Sequence, residues 1–161
     1  MAASPDTQLV TGYNFQQVPA GDALVTPTGG TQDSLADLLG AANVINATYF
    51  FTGTPAATDQ VFFIATRAMI VTAAYQVHST AAGGTSTLVV IKDTGTSAPA
   101  TGTAILGATF NLNATANTVQ VGTLATTAAI TMAAGDRLSV RFNHLIQSSA
   151  GVVVTIRLAA V

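Results

Sequence analysis

The stretch RLSVRF, residues 137–142, alternates apolar and polar side chains at every position. Leu138, Val140 and Phe142 fall on one side of an extended chain, and the three polar residues between and before them fall on the other. A period of two is typical of a β-strand that turns one face towards a core. We therefore expect a strand here, with its apolar side facing inward.

The same period of two extends outward from this stretch. VVVTIRL, residues 152–158, places Val154, Ile156 and Leu158 on one face, and TLVVIK, residues 87–92, is apolar on both faces, as expected of a buried central strand. Further strands are predicted by segments 48–52, 60–66, 71–78, 104–112 and 118–124. About eight short strands result, separated by Gly, Pro, Asn and Thr turns, with no helix of any length among them.

Eight short strands at this spacing predict an all-β fold, a jelly-roll-like antiparallel β-sandwich that spans residues 48–161. The alternative is a seven-strand immunoglobulin-type domain, which is usually nearer 100 residues and often carries a core Trp. This chain has no Trp. The length therefore favours the jelly roll.

We predict that residues 1–47 form an extended N-terminal arm, which contains one short helix near 33–39. In TQDSLADLLG, residues 31–40, Asp33 or Ser34 can cap a helix and Gly40 can end it. Two turns are too few to persist without a docking surface. We expect the arm to bind a partner through apolar anchors spaced for an extended strand: Tyr13, Phe15, Val18, Leu24 and Val25.

The composition indicates a protein that works in an assembly. The chain has 161 residues, of which 30 are Ala and 26 are Thr, and 7% are charged, against about 25% in an ordinary soluble domain. Charged side chains normally keep proteins apart in solution. We therefore expect much of this surface to be covered by other protein, with a homo-oligomer, a trimer or a dimer, as one form of cover.

Several classes of partner and compartment are disfavoured. A net charge of −2 and five scattered basic residues argue against nucleic acid, which needs a clustered positive surface. No stretch offers the roughly 20 apolar residues of a membrane span, and the start, MAASPDTQLV, lacks the features of a signal peptide. The absence of Cys is compatible with folding in reducing cytosol.

The sequence predicts no enzyme, no cofactor and no metal site. The two histidines, His78 and His144, lie near strand ends with no nucleophile elbow such as G-x-S-x-G in the chain, so we expect them to be surface or turn residues. Asp59, Asp93 and Asp136 show no D-x-D spacing for a metal.

Two of these carboxylates have a simpler interpretation. Asp93 follows a strand and Asp136 lies in AAGDRL, and Asp favours turns because its side chain accepts bonds from nearby backbone N–H groups. An ion pair between Lys92–Asp93 and Asp136–Arg137 across strands is a further expectation, worth 0 to about 1 kcal/mol if exposed.

Half of the aromatic residues are concentrated between residues 49 and 63. They are Tyr49, Phe50, Phe51, Phe62 and Phe63. A ligand groove is one interpretation of such a cluster. Core packing at the start of the sandwich is the favoured one, because large aromatic side chains usually serve burial.

The central part of the chain also resembles a known module. The run that begins FFIATRAMIVTAAYQVHST, continues through FNLNATANTVQVGTL and ends at MAAGDRLSVRFN resembles a β-sandwich module of tailed-bacteriophage virion proteins over about residues 62–142. The marks of the resemblance are Lys92-Asp93-Thr94-Gly95-Thr96, Ala98-Pro99 with Gly102-Thr103, Asn117-Thr118-Val119 and Ala134-Gly135-Asp136-Arg137-Leu138. A second stretch, VTPTGGTQDSLADLLG, is similar to the linker of phage tail and fibre proteins, where it often precedes a trimeric β-structure.

The resemblance implies a function as well as a fold. It implies a capsid decoration (cement) protein that binds the major capsid protein, stabilises the head shell from its exterior and is made in the host bacterial cytoplasm. The same module implies an alternative, a head-fibre or tail adhesin that binds glycan or protein on the host surface. A jelly-roll glycan hydrolase or lyase is a third interpretation, which the scarcity of catalytic groups disfavours.

Overall fold

The structure, a computed structural model, describes residues 44–51, 59–143 and 149–161, together with the strands Ala23–Leu24 and Asp33–Ser34. The chain divides into two compact units, Met1–Ala42 and Asn43–Val161. In the first unit, β1 (Ala23–Leu24) pairs antiparallel with β2 (Asp33–Ser34). Asp33 and Ser34, where we expected a helix to begin, thus form a strand, and the rest of that segment lies outside the described residues.

The described residues of the second unit contain ten strands and one turn of helix. The strands are β3 (Val44–Phe51), β4 (Gln60–Ile64), β5 (Met69–Val77), β6 (Thr87–Asp93), β7 (Thr103–Ala104), β8 (Phe110–Asn111), β9 (Gln120–Val121), β10 (Thr131–Met132), β11 (Arg137–Asn143) and β12 (Val152–Ala160). The helix α1 (Thr127–Ile130) leads directly into β10. The first long strand begins at Val44, four residues before the boundary that we predicted at residue 48.

These strands form two antiparallel sheets. Sheet I has the order β10-β5-β12-β3 with β9 also paired to β5, and sheet II has the order β4-β11-β6-β7 with β8 also paired to β6. Along the chain the strands alternate between the sheets: β3 is in sheet I, β4 in II, β5 in I, β6 to β8 in II, β9 and β10 in I, β11 in II and β12 in I. This is the double Greek key of a jelly roll, so the predicted fold class is confirmed.

The core lies between the sheets, where the alternation of the sequence predicted it. The six residues assigned inward are all at most 7% exposed: Leu138, Val140, Phe142, Val154, Ile156 and Leu158. Each buried aliphatic or aromatic side chain contributes about 1.5–3 kcal/mol relative to exposure in water. The period-two pattern therefore specifies which way both long strands face.

Aromatic side chains close one end of this core. The Tyr49 ring lies 5.8 Å from Phe62 and 6.2 Å from Phe142, centroid to centroid, and Phe51 lies 6.1 Å from Phe142. Phe63 also packs against the core. Core packing was therefore the right interpretation for four of the five clustered aromatics, while Phe50 is 61% exposed.

The shorter strands differ from the sequence prediction. Segment 104–112 is two separate two-residue strands, β7 and β8, and within 118–124 only Gln120–Val121 is strand. The pair α1 and β10 was missed, because TTAAITM has no period of two. Asn, Gly and Thr interrupt these segments, and Gly weakens the interior of a strand.

Candidate functional site

The distinctive loop of this chain, residues 94–102, is held by the carboxylate of Asp93. Its Oδ2 accepts hydrogen bonds from the Ala100 backbone N–H at 2.9 Å and from the Ser139 hydroxyl at 2.6 Å. Its Oδ1 accepts from the backbone N–H groups of Thr101 at 3.1 Å and Gly102 at 2.9 Å. Asp93 is fully buried at the end of β6. One carboxylate thus fixes the far end of a nine-residue loop.

This environment shifts the acidity of the group. Burial alone raises the pKa of Asp93, because it disfavours the charged form, but the four hydrogen bonds lower it by more, and the pKa lies below its ordinary value of 3.8. The loop therefore stabilises the ionised carboxylate. The prediction that Asp93 accepts hydrogen bonds from nearby backbone N–H groups is confirmed. The donors lie seven to nine positions further along the chain, so the carboxylate organises a loop that is longer than a single turn.

Arg137 holds the near end of the same loop. Its Nη2 donates to the carbonyl oxygens of Gly95 at 3.1 Å and Ser97 at 2.8 Å. Lys92 instead donates from Nζ to the carbonyl oxygens of Ala128 at 2.7 Å and Thr131 at 2.8 Å. The prediction of an ion pair between these residues is therefore wrong. Lys92 and Arg137 donate to backbone carbonyl oxygens instead, and Asp93 accepts from backbone N–H groups.

The loop covers β6 on the outer face of sheet II. Val89 and Ile91 point outward from β6, yet they are only 9% and 4% exposed, since fully buried Ala100 packs on them. Gly102 lies so close to β6 that an added Cβ would overlap the Lys92 carbonyl oxygen. The strand TLVVIK is thus buried on both faces, as predicted, and the loop supplies its second cover.

The outer face of sheet I has no such loop over it among the described residues. Its first row of side chains crosses three strands, with Val153 of β12 directly opposite Phe50 of β3 on one side and Val77 of β5 on the other. Residues paired in this way share one face of a sheet. Phe50 is 61% exposed. The row is apolar from one strand to the next.

The second row continues this surface across four strands. Thr155 of β12 lies opposite Thr48 of β3 and Tyr75 of β5, and Tyr75 lies opposite Val121 of β9. Val121 is 71% exposed, and Val119, two residues earlier, is 61% exposed. Large apolar side chains thus line both margins of the face.

The remaining two rows add a single charge. The third row is Asn46, Arg157 and Ala73, and the fourth is Val44, Ala159, Ile70 and Thr131. Arg157 is the one charged side chain in the four rows, and within the described residues no carboxylate pairs with it. We call these four rows the outer face of sheet I; it is a largely apolar surface whose one charged side chain, Arg157, lies away from the apolar first row.

His78 is a buried structural residue rather than the surface residue that we expected. Gln120 Nε2 donates to Gln76 Oε1 at 2.8 Å, Gln76 Nε2 donates to His78 Nδ1 at 3.1 Å, and His78 Nε2 donates to the Ala114 carbonyl oxygen at 3.0 Å. This chain of bonds uses both ring nitrogens of a neutral imidazole. It explains how a fully buried histidine is accommodated. His144 lies outside the described residues.

The remaining described carboxylates take part in local structure. Among the described residues, no group of three or more acidic or histidine side chains is placed to hold a metal ion. Asp136 accepts from the Ala133 N–H at 2.8 Å, and Asp59 pairs with Arg141 at 3.6 Å, so both serve local structure. In the part of the chain that is described, no helix has the length and apolar character needed to cross a membrane.

Some site residues were predicted and others were missed. Of the arm anchors, Leu24 lies in β1, and Tyr13, Phe15, Val18 and Val25 lie outside the described residues. The role of Ser139 was missed, although a lone polar residue between Leu138 and Val140 was visible. The outer face of sheet I was missed because its rows join residues from opposite ends of the chain.

The comparisons with known proteins concern the fold. No protein-family model and no curated protein matches the sequence. Among solved structures, a chain of the cyanophage Pam1 capsid asymmetric unit has 14% identity and a TM-score of 0.45, with 94% of this chain and 99% of that chain covered. A chain from Bacillus endospore appendages, which form disulfide-linked pili, has 16% identity and a TM-score of 0.32, over 74% of this chain and 90% of that one.

A third similar structure comes from the infectious bursal disease virus Gx strain. It has 15% identity and a TM-score of 0.35, over 87% of this chain and 37% of that chain. All three TM-scores are below 0.5, and we infer no function from them.

Proposed function

We propose that this chain is a virion structural protein, a capsid decoration (cement) protein that binds the major capsid protein on the exterior of a bacteriophage head. The observation that carries the proposal is the outer face of sheet I, a largely apolar association surface with one charge on a jelly-roll domain. It marks the chain as a component of an assembly, while contact with the shell itself is assigned to the arm below. Contiguous exposed apolar surface marks a site of protein association. The sequence resemblance over residues 62–142 supplies the kind of assembly.

The structure supports this proposal through rigidity. The loop over sheet II is held at both ends by Asp93 and Arg137, and the cross-sheet bond of Lys92 to the α1–β10 segment ties the two sheets together. A rigid sandwich loses little conformational entropy on binding. Many copies on one shell would convert individually modest contacts into durable attachment.

We assign attachment to the shell to the N-terminal arm, with Tyr13, Phe15, Val18, Leu24 and Val25 as its apolar anchors. The test compares the full chain with a chain that lacks residues 1–30. Both are checked for β-structure by circular dichroism and then mixed with undecorated heads, and the bound copies are counted. We expect the shortened chain to fold and to lose most of its binding.

The control for this experiment changes the anchors without shortening the chain. Replacement of Tyr13 and Phe15 by Ser should weaken binding, whereas replacement of Gln16 and Gln17 by Ser should not. Full occupancy of heads by the shortened chain would refute the role of the arm. Failure of the full chain to bind any head would refute the decoration function itself.

The alternative function is a head-fibre or tail adhesin. One observation favours it: the loop 94–102 presents exposed Thr94 and Thr96 on a backbone fixed by Asp93, as a rigid receptor-binding loop would. Copy number separates the two functions, since a shell protein occurs in hundreds of copies per particle and a tail protein in about a dozen. Quantitative mass spectrometry of purified particles measures this directly.

A further inference from the structure

We propose that the outer face of sheet I is the interface of a two-fold dimer, with the same face of a second copy of this chain as its occupant. The inference goes beyond shell attachment and does not depend on it, because self-association is measured on the isolated protein.

The size of the face suits a dimer. Sheet I has three strands of eight or nine residues, β3, β5 and β12, and the two-residue strands β9 and β10 lie along the edge of β5. At a strand spacing of about 4.8 Å and a rise of about 3.3 Å per residue, they give a face of roughly 500 Å². Two such faces in contact bury about 1,000 Å², the lower limit for a specific protein interface. The first row, Phe50, Val153 and Val77, and Val121 of the second row supply its apolar contacts.

The charge of the face suits a copy of itself. Two identical surfaces repel each other when they carry several like charges, and this one carries Arg157 alone. Arg157 lies in the third row, whereas the most exposed apolar side chains, Phe50 and Val121, lie in the first and second. Because Arg157 is exposed and its side chain is long, its guanidinium group can extend from the third row to water at the edge of the contact.

The exposure of the face requires an occupant from the time of synthesis. Phe50, Val119 and Val121 are each more than 60% exposed in a chain with 7% charged residues. Apolar patches of this kind are covered or they aggregate. A second copy is present wherever the protein is made, whereas a shell or a host surface is met later. Two sheets stacked about 10 Å apart, as within the sandwich itself, provide the cover.

The test measures the oligomeric state of the full chain by sedimentation velocity at tens of micromolar. We expect a mass of twice the 16.2 kDa of one chain. Val121→Asp places a carboxylate in the apolar rows and should weaken the dimer by about a hundredfold or more, with thermal unfolding of the monomer unchanged. Ile64→Asp is the matched control: Ile64 is 58% exposed on the outer face of sheet II, so its replacement should leave the dimer intact.

A second measurement does not depend on a disruptive substitution. The chain has no cysteine, so Val121→Cys and Ile64→Cys each carry one nitroxide label. In the proposed dimer, the labels on sheet II of the two copies are separated by three sheet spacings, about 30 Å or more, and the labels at Val121 are closer. Pulsed dipolar spectroscopy should give the shorter distance for Val121.

Three results would overturn the proposal. One is a monomeric wild type, which would mean that another part of the chain or a different protein covers the face. Another is an oligomer that persists in Val121→Asp, and the third is a shorter distance for the Ile64 labels than for the Val121 labels. A dimer that forms as described while the chain fails to bind heads would leave this interface standing and refute only the decoration function.

Discussion

The carboxylate of Asp93 holds the far end of the loop, and Asp93→Asn tests this role with almost no change in the shape of the side chain. The amide keeps one oxygen, which can still accept from Thr101 and Gly102. Its NH₂ group replaces the oxygen that accepts from the Ala100 N–H and the Ser139 hydroxyl. The Ser139 hydroxyl oxygen, which also accepts from the Ala100 N–H at 2.9 Å, can accept from the amide as well and donate to the Ile91 carbonyl oxygen at 3.5 Å. The Ala100 N–H and the Ser139 hydroxyl therefore each lose their bond to a charged oxygen and keep a neutral partner.

The structure sets the size of the effect. Hydrogen bonds to a charged group contribute about 1.5–3 kcal/mol each and do not add fully, so the loss of one or two, with the rest weakened by loss of the charge, amounts to about 2–3 kcal/mol. For a sandwich of this size that corresponds to a fall in melting temperature of about 6–12 °C. The control is Asp136→Asn, which weakens one exposed bond to Ala133 and should cost less than about 1 kcal/mol.

The pH dependence provides the decisive measurement. Because the pKa of Asp93 is lower in the folded chain than in the unfolded one, its stabilisation is present above the ordinary value of 3.8 and is lost as the pH falls through the lowered folded value. The free energy of unfolding of the wild type should therefore exceed that of Asp93→Asn by a constant margin at pH 5–7, and this margin should shrink below pH 4. Thermal unfolding by circular dichroism, with amide exchange at Thr101 and Gly102, measures both. A margin that is absent at pH 7, or that does not change with acid, would refute the assigned role.

Three further substitutions probe the core and the loop. Val140→Asp buries an unpaired charge between the sheets, so we expect a loss of several kcal/mol and no cooperative unfolding transition at 25 °C; an unchanged melting temperature would contradict the inward assignment. Gly102→Ala overlaps the Lys92 carbonyl and should destabilise the loop by about 1–3 kcal/mol in denaturant titrations, whereas Gly107→Ala, whose nearest neighbour would be 3.8 Å away, should not. His78→Ala leaves the Gln76 amide and the Ala114 carbonyl without their partner and should lower stability by about 2–4 kcal/mol; equal stability to wild type would show that the buried bonds contribute nothing.

The sequence predicts the long strands well because their signal is local. In β11 and β12 successive side chains alternate between core and exterior, so the sequences RLSVRF and VVVTIRL predict which face of each strand points into the core. The short strands β7 to β10 have two residues each, which is too few for a period to be seen. Their positions are set by the long strands that they pair with, and no local pattern records that.

The loop 94–102 and the outer face of sheet I also differ in how far the sequence predicts them. The loop could be located from IKDTGTSAPATG, but the donors to Asp93 include Ser139, which is 46 residues away in the chain. The outer face of sheet I joins Phe50, Val77, Val121 and Val153, and each of these residues by itself is an unremarkable apolar position in a strand. Such a surface emerges only from the register of the paired strands.

The register of β3 and β12 has a consequence for how this sandwich can be rewired. Val44 lies directly opposite Ala159 at the margin of sheet I, so the start of β3 and the end of β12 lie side by side. A short Gly-Ser bridge can join them, and the chain can be reopened at Gly84, an exposed turn residue with φ of +84° between β5 and β6. The resulting circular permutant of residues 44–161 keeps every strand pairing of the two sheets and carries any fused cargo at the turn between β5 and β6.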